Sequence, residues 1–138
     1  MKYTITDLQQ VVSHGLTPPP CDTTMQVKVS YAEDGIAKGI WEVDKKYING
    51  LGVVMGGFLS AAADILMAYA IASKLTESQG FVSIDLDTTF HRPAFEGEIE
   101  VIARVEKVGR TLAYVVADLV QNEKKVATCV SSLLIRQK

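Results

Sequence analysis

The 138-residue chain can enclose one hydrophobic core but is too short for two ordinary domains, so a single domain over residues 1–138 is predicted. Its 48% apolar and 22% charged residues are typical of a globular protein and exclude a disordered chain. A formal net charge of −2 gives no broad positive field, which argues against nucleic acid and anionic membrane surfaces as partners.

The cysteines and one long apolar segment bear on metal binding and on the compartment of the protein. Cys21 and Cys129 belong to no Cys-x-x-Cys motif or Cys/His cluster, so no metal site is predicted. They could form a disulfide, but the first residues do not resemble a signal peptide, which favours two reduced thiols in the cytoplasm. Residues 53–72 are long enough to span a bilayer. Asp64 at their centre would cost about 2.5–3.5 kcal/mol there, however, so a buried helix is predicted instead.

The first half of the chain predicts a short helix, two strands and one long helix. Apolar residues near helical spacing predict a helix over residues 5–14, followed by an extended connection through Pro18–Pro20. Alternating apolar residues predict strands over 24–31 and 36–43 with a turn between them. The helix predicted over about 57–75 is apolar nearly all round, so other elements must surround it.

The second half alternates with a period of two and predicts four strands, over residues 80–90, 98–107, 111–120 and 125–136. In the first of these strands, one face is predicted to carry Val82, Ile84, Leu86, Thr88 and Phe90. Short turns make consecutive strands antiparallel. The order of elements favours an α+β fold in which an antiparallel sheet wraps around the central helix.

A set of motifs surrounds the long helix. NGLGVVMGG starts at Asn49 and is followed by FLSAAAD, which ends at Asp64. Later motifs are VSIDL at 82–86, RPA at 92–94 and KVGRT at 107–111. Together they resemble the hot-dog-fold thioesterases, most closely the PaaI-like (phenylacetic acid degradation) branch, whose usual form is N-x-x-G-x-x-H-G-G followed by an acidic residue. The resemblance covers residues 35–136, with Met55 standing where the family has histidine.

The resemblance implies a function and an assembly. The function is hydrolysis of acyl-CoA or aryl-acyl-CoA thioesters, with coenzyme A as part of the substrate and no separate cofactor. The assembly is a homodimer or a dimer of dimers, with each active site at a dimer interface. One chain would supply Asn49 and Gly56, and the other would supply Asp64 and Ser83.

Asp64 is the strongest catalytic candidate. Its neighbours one helical turn away are Ser60, Ala61, Met67 and Ala68, which offer the carboxylate little polar company. An unpaired carboxylate in such a place is costly, which favours a role as general base or as nucleophile on the thioester carbonyl. The alternative is a structural aspartate that is hydrogen-bonded elsewhere in the fold or across an interface.

The other catalytic candidates also have structural alternatives. The first amides of a helix lack internal partners, so the Gly56 N–H could stabilise an oxyanion, although a glycine pair also suits a tight turn. Asn49 could orient water or the thioester, or form a turn with Gly50. Ser83 could assist the water molecule, or be an exposed strand serine.

The binding candidates divide into pocket residues and cations. Met55, Gly57 and Phe58 are expected to shape the acyl pocket. Arg92, Lys107 and Arg110 could contact the phosphates of coenzyme A, against the alternative of solvated surface charge. Two other functions stay open: a non-catalytic acyl-CoA-binding protein, suggested by Met55, and a dehydratase, which would need a histidine that the motif lacks.

Overall fold

The computed structural model describes residues 2–138. In it, the N-terminal segment of the chain folds into two short helices. Helix α1 (Ile5–Ser13) begins with a capping box, in which the Thr4 hydroxyl accepts from the Asp7 N–H and the Asp7 carboxylate accepts from the Thr4 N–H. Gly15, with φ of +68°, follows the helix and lets the chain reverse direction. The helix predicted over residues 5–14 is thus confirmed to within one residue.

Helix α2 (Pro20–Met25) contradicts the extended connection predicted for this region. Pro20 stands at the first helical position, where its missing N–H costs nothing because a helix leaves that group unpaired. Gln26 adopts a left-handed conformation with φ of 61° and ends the helix. The first strand, β1 (Val27–Glu33), therefore begins three residues later than predicted.

The sheet is antiparallel throughout. Its main strands are β2 (Ile36–Val43), β5 (Gly97–Val108), β6 (Leu112–Gln121) and β7 (Lys124–Gln137). With β3 (Gln79–Ser83) at one edge, the order across the sheet is β1-β2-β5-β6-β7-β3. Positive φ angles at Asp34-Gly35 and Asn122-Glu123 are those of two-residue hairpin turns, which match the twist of the flanking strands. These bounds agree with the predicted strands to within one residue or so.

The strand predicted over residues 80–90 is wrong as one continuous element. It divides into β3 (Gln79–Ser83) and β4 (Asp87–Phe90), both of which pair with β7. Between them the Asp85 carboxylate accepts from the Ser132 N–H at 2.7 Å, while its carbonyl accepts from the Ser131 hydroxyl at 2.7 Å. A side chain therefore replaces backbone pairing where the strand breaks.

Helix α3 (Gly56–Ala72) is the centre of the core. Ten of its 17 residues are buried, and it packs against β5, β6 and β2 on the inner face of the sheet. It ends three residues before the predicted end, where the Ser73 hydroxyl donates to the Ala70 carbonyl and accepts from the Gly35 N–H. The predicted α+β architecture, a sheet wrapped around a surrounded helix, is confirmed.

Candidate active site

Asp64 lies in a cavity of about 300 Å³ with three walls. Helices α1 and α2 with their connection form one wall, helix α3 forms the second, and β3 forms the third. Ser83, the last residue of β3, lines the same cavity. The structure therefore brings Asp64 and Ser83 of one chain together. The other lining residues are Leu8, Pro19, Cys21, Asp22, Ile65, Ala68, Tyr69, Phe81 and Val82.

The Asp64 carboxylate has no hydrogen-bond or ion-pair partner within residues 2–138. Its side chain reaches the surface of the single chain, yet desolvation by the surrounding atoms raises the pKa of the Asp64 carboxyl. A carboxylate that is partly desolvated and unpaired is a stronger base than one held by a cation. The geometry therefore suits proton abstraction in this cavity.

The N-terminus of α3 is a second feature. Met55 is the N-cap residue and makes no side-chain capping bond. The Gly56 and Gly57 N–H groups meet no protein acceptor in the described part of the chain. Unpaired amides at a helix start carry partial positive charge and suit a developing oxyanion.

Gly56 borders its own cavity, of about 440 Å³, together with Phe90 and Arg92. A Cβ atom at Gly56 would lie 2.7 Å from the Phe90 Cζ, so the phenyl ring packs directly on the glycine. Only glycine fits here unless that ring moves. The structure thus places Arg92, a predicted phosphate contact, beside the predicted oxyanion amide.

Within one chain the two candidate catalytic features do not meet. Gly56 and Asp64 line different cavities, and eight residues of helix separate them by about 12 Å along the axis. A thioester carbonyl could not contact the Gly56 amide and the Asp64 carboxylate of the same chain together. The two groups therefore occupy separate places in one chain.

Asn49 has a structural task in its own loop. Its side-chain carbonyl oxygen accepts from the Leu51 N–H at 2.8 Å and from the Val53 N–H at 3.3 Å. This is the turn role that the sequence left open. Any contact with substrate would have to come from the side-chain NH₂ group, because the oxygen is already used.

The predicted pocket residues surround the start of α3. The Met55 side chain is 44% exposed, and its Cε atom would lie 3.4 Å from a Cβ atom at Gly57. The Phe58 ring is half-buried and packs edge-on against Tyr47, with 5.0 Å between the ring centroids. Met55 therefore offers an apolar surface where the family motif has histidine.

The three cations predicted to contact coenzyme A do not cluster in one chain. The Arg92 N–H donates to Val126 near the β6–β7 turn, whereas Lys107 and Arg110 lie at the β5–β6 turn. Strand β6 separates the two turns by about 30 Å, because antiparallel hairpins place consecutive turns at opposite ends. A phosphate group bound to Arg92 is therefore out of reach of Lys107 and Arg110 of the same chain.

Two residues at the sites were missed from the sequence. Asp22 of α2 is buried and accepts a hydrogen bond from the Tyr69 hydroxyl of α3 at 2.5 Å, and both line the Asp64 cavity. Tyr69 carried a usable signal, since a tyrosine hydroxyl in an apolar helix needs a partner. Asp22 carried none, because a six-residue helix shows no clear periodicity.

Comparisons with known proteins identify the class. Residues 51–128 match the Thioesterase superfamily. Acyl-coenzyme A thioesterase 13 of Mus musculus is 30% identical over 116 residues, which cover 82% of this chain and 81% of that protein. A Pseudomonas aeruginosa protein provisionally named an esterase is 36% identical over 87 residues, and the match spans 62% of this chain and 65% of that relative.

Solved structures agree with this result. A phenylacetic acid degradation-related protein of Ralstonia eutropha superposes with a TM-score of 0.86 at 26% identity, over 93% of this chain and 98% of that one. A mutant of the phenylacetic acid degradation protein PaaI from Thermus thermophilus gives 0.78 at 25% identity, over 84% and 98%. The chain belongs to the Thioesterase superfamily and has the hot-dog fold, as the motifs predicted.

The alternative that residues 53–72 span a bilayer can also be compared with the structure. Helix α3 has only 17 residues, and no helix within residues 2–138 combines the length and apolar character needed to cross a bilayer.

Proposed function

We propose that the chain hydrolyses acyl-CoA or aryl-acyl-CoA thioesters to the free acid and coenzyme A, in the cytoplasm and without a metal or redox cofactor. Membership of the superfamily supports thioester hydrolysis in general. The observation that carries the proposal is the unpaired Asp64 carboxylate, whose pKa is raised by desolvation in a cavity that Ser83 shares. The name of one relative, the mouse acyl-coenzyme A thioesterase 13, supports coenzyme A as the carrier of the acyl group.

The proposed chemistry has two steps. The Gly56 N–H of one chain donates to the thioester carbonyl oxygen. Asp64 of the other chain takes a proton from a water molecule while the oxygen of that water attacks the carbonyl carbon. The C–S bond then breaks, and the proton passes from Asp64 to the departing coenzyme A thiolate. Ser83 and the NH₂ group of Asn49 would hold the water molecule and the thioester in place. Direct attack by the Asp64 carboxylate is the alternative first step.

A second copy of the chain would complete this site. Strands β3 and β4 form one open edge of the sheet, and the large apolar side chains of these strands and of the segment between them are exposed in the single chain: Val82 by 48%, Ile84 by 59%, Leu86 by 38% and Phe90 by 52%. The sequence predicted that this set shares one face of a strand. An unpaired edge with an apolar surface favours pairing with another strand. We therefore propose a homodimer through this edge, which could pair further into a dimer of dimers.

The dimer also bears on coenzyme A. Because Arg92 is far from Lys107 and Arg110 in one chain, we propose that the nucleotide phosphates meet Arg92 beside the Gly56 cavity of one protomer. Lys107 and Arg110 could reach the same molecule only from another protomer. Met55, Gly57 and Phe58 would surround the reacting end of the acyl-pantetheine segment.

The proposal is tested with a panel of acyl-CoA and aryl-acyl-CoA substrates. Released thiol reports turnover, and calorimetric titration with a non-hydrolysable acyl-CoA analogue reports binding. We expect stoichiometric release of thiol and acid from at least one substrate. Binding without turnover across the panel would instead favour the non-catalytic acyl-CoA-binding protein that Met55 suggests.

Met55→His is expected to raise the rate on simple acyl-CoA substrates. A thioether is a weak hydrogen-bond acceptor and cannot donate, whereas imidazole can donate to the thioester or to water. The increase should appear in kcat, measured by thiol release, and Met55→Leu serves as the control because it keeps an apolar side chain. A lower rate for Met55→His on every substrate, with an unchanged melting temperature, would show that the thioether itself is adapted to the site.

A further inference from the structure

The buried hydrogen bond between Tyr69 and Asp22 joins two walls of the Asp64 cavity. Tyr69 lies five residues after Asp64 on α3 and is 2% exposed, while Asp22 on α2 is 3% exposed. Its second carboxylate oxygen accepts only the weak Cys21 thiol, at 3.4 Å. The mechanism proposed above uses neither residue, yet both side chains line the cavity.

Burial of a carboxylate is costly unless the group has a purpose or a good partner. Desolvation raises the pKa of the Asp22 carboxyl, and the hydrogen bond from Tyr69 acts in the opposite direction. The same burial and the neighbouring Asp22 raise the pKa of the Tyr69 hydroxyl, which therefore stays a donor. The pair is thus a persistent donor and acceptor placed inside an otherwise mostly apolar wall.

The N-terminal cover, defined as helices α1 and α2 with their connection (residues 5–25), has other attachments. The Gln9 side chain donates to the Ala72 carbonyl at 3.0 Å, Thr6 bonds with Glu77, and the Tyr47 hydroxyl donates to the Thr24 carbonyl at 3.3 Å. None of these residues lines the Asp64 cavity. Among these attachments, only the Tyr69–Asp22 bond fixes the cover at the cavity wall.

We infer that the Tyr69–Asp22 hydrogen bond is a positioning element of the active site: it holds α2 as the wall that limits water around the Asp64 carboxylate. The inference rests on the proposed function of Asp64. If the bond is lost, α2 can move away from α3 and water can enter between them. A better-hydrated Asp64 carboxylate is a weaker base, so catalysis slows even though Asp64 itself is intact.

The other titratable groups near Asp64 do not explain its environment. Helix α2 contributes Cys21 and Asp22, β7 contributes Cys129, and Asp87 of β4 also acts on Cys129. No basic side chain lines the cavity in the part of the chain that the structure describes. Desolvation is the one cause of the raised Asp64 pKa, so this pKa depends on how the cavity walls pack around the carboxylate.

The test compares three single-atom or near-isosteric variants of the full chain. Tyr69→Phe removes the hydrogen bond and should move the Asp64 pKa down toward the ordinary carboxyl range, with kcat/KM lowered about tenfold, mainly through kcat. Asp22→Asn keeps an acceptor for the Tyr69 hydroxyl and should leave both quantities close to those of the wild type. Tyr47→Phe is the matched control, since it removes one hydroxyl that bonds α2 outside the cavity.

The Asp64 pKa is read by ¹³C NMR of the carboxyl carbon, which needs no turnover, and from the acid limb of the kcat/KM profile. The NMR titration therefore tests the inference even if no acyl-CoA is hydrolysed, which would overturn only the proposed function. Should Tyr69→Phe fail to fold, Asp22→Ala removes the same bond and is expected to give the same shift.

Three results would overturn the inference. The first is an unchanged Asp64 titration in Tyr69→Phe. The second is an equal shift in Tyr47→Phe, which would mean general loosening of the cover. The third is an equal shift in Asp22→Asn, which would assign the effect to the Asp22 charge instead of the bond.

Discussion

Asp64→Asn is expected to lower the turnover of any acyl-CoA substrate by about two orders of magnitude or more, because the amide keeps the shape of the side chain but cannot accept a proton. KM should change little, since within residues 2–138 Asp64 makes no hydrogen bond or ion pair that the substitution would remove. Asp34→Asn is the matched control: it removes an exposed carboxylate in the β1–β2 turn, at the opposite edge of the sheet, and should leave turnover unchanged. Turnover that survives Asp64→Asn would contradict the proposed chemistry.

The same variant should hold or raise the melting temperature near neutral pH. The folded chain raises the Asp64 pKa, so between the ordinary and the raised pKa the folded state binds more protons than the unfolded state. Stability therefore increases as the pH falls through this window, and the ionised carboxylate opposes folding above it. Asp64→Asn replaces the ionised carboxylate with a neutral amide and so removes this unfavourable contribution to folding. Activity has the reverse dependence and is lost as the pH falls through the raised pKa, because only the ionised Asp64 can act as the base.

Much of the fold could be predicted because local patterns decide it. Strand β2 occupies residues 36–43 as predicted, since strict alternation ends at a turn on one side and a polar loop on the other. Helix α3 is apolar on nearly every face, and such a helix has to be enclosed. The hairpins between β5, β6 and β7 follow from short turns of suitable residues.

The errors arose where distant contacts override the local pattern. Alternation continues through residues 84–86, but the Asp85 carboxylate takes the Ser132 N–H and breaks the strand. Periodicity placed Val82 and Phe90 on one face of a strand, but it does not specify whether that face is covered within the chain or by another chain. Helix α2 is too short to show a period, and its start at Pro20 resembles an extended segment.

The candidate site could be predicted only in part, for similar reasons. Its motif placed Asp64 and the glycine pair on one helix, and their spacing alone gives the 12 Å separation at about 1.5 Å per residue. The Asp22–Tyr69 pair could not be found in this way, because 47 positions separate its members and no motif contains both. Phe90 likewise reaches Gly56 only through the pairing of β4 with β7.

The central claim is that each site is built from two chains, with the Gly56 half from one and the Asp64 half from the other. Asn49→Ala and Asp64→Ala are each expected to be nearly inactive alone. In a mixed dimer one site contains both substitutions, and the other site contains only wild-type residues from the two chains. Random pairing of equal amounts makes about half of the dimers mixed, so the mixture should regain roughly a quarter of wild-type activity.

The decisive measurement is the thioesterase activity of this co-refolded mixture, assayed beside each parent and with mixed dimers quantified by native mass spectrometry. A mixture of Asp64→Ala with Ser83→Ala is the control, because both residues belong to the same half-site and every mixed dimer would keep one defect in each site. The two-chain site predicts about a quarter of wild-type activity in the first mixture and no recovery in the second. Recovery no greater than the average of the parents in the first mixture, with mixed dimers present, would contradict it.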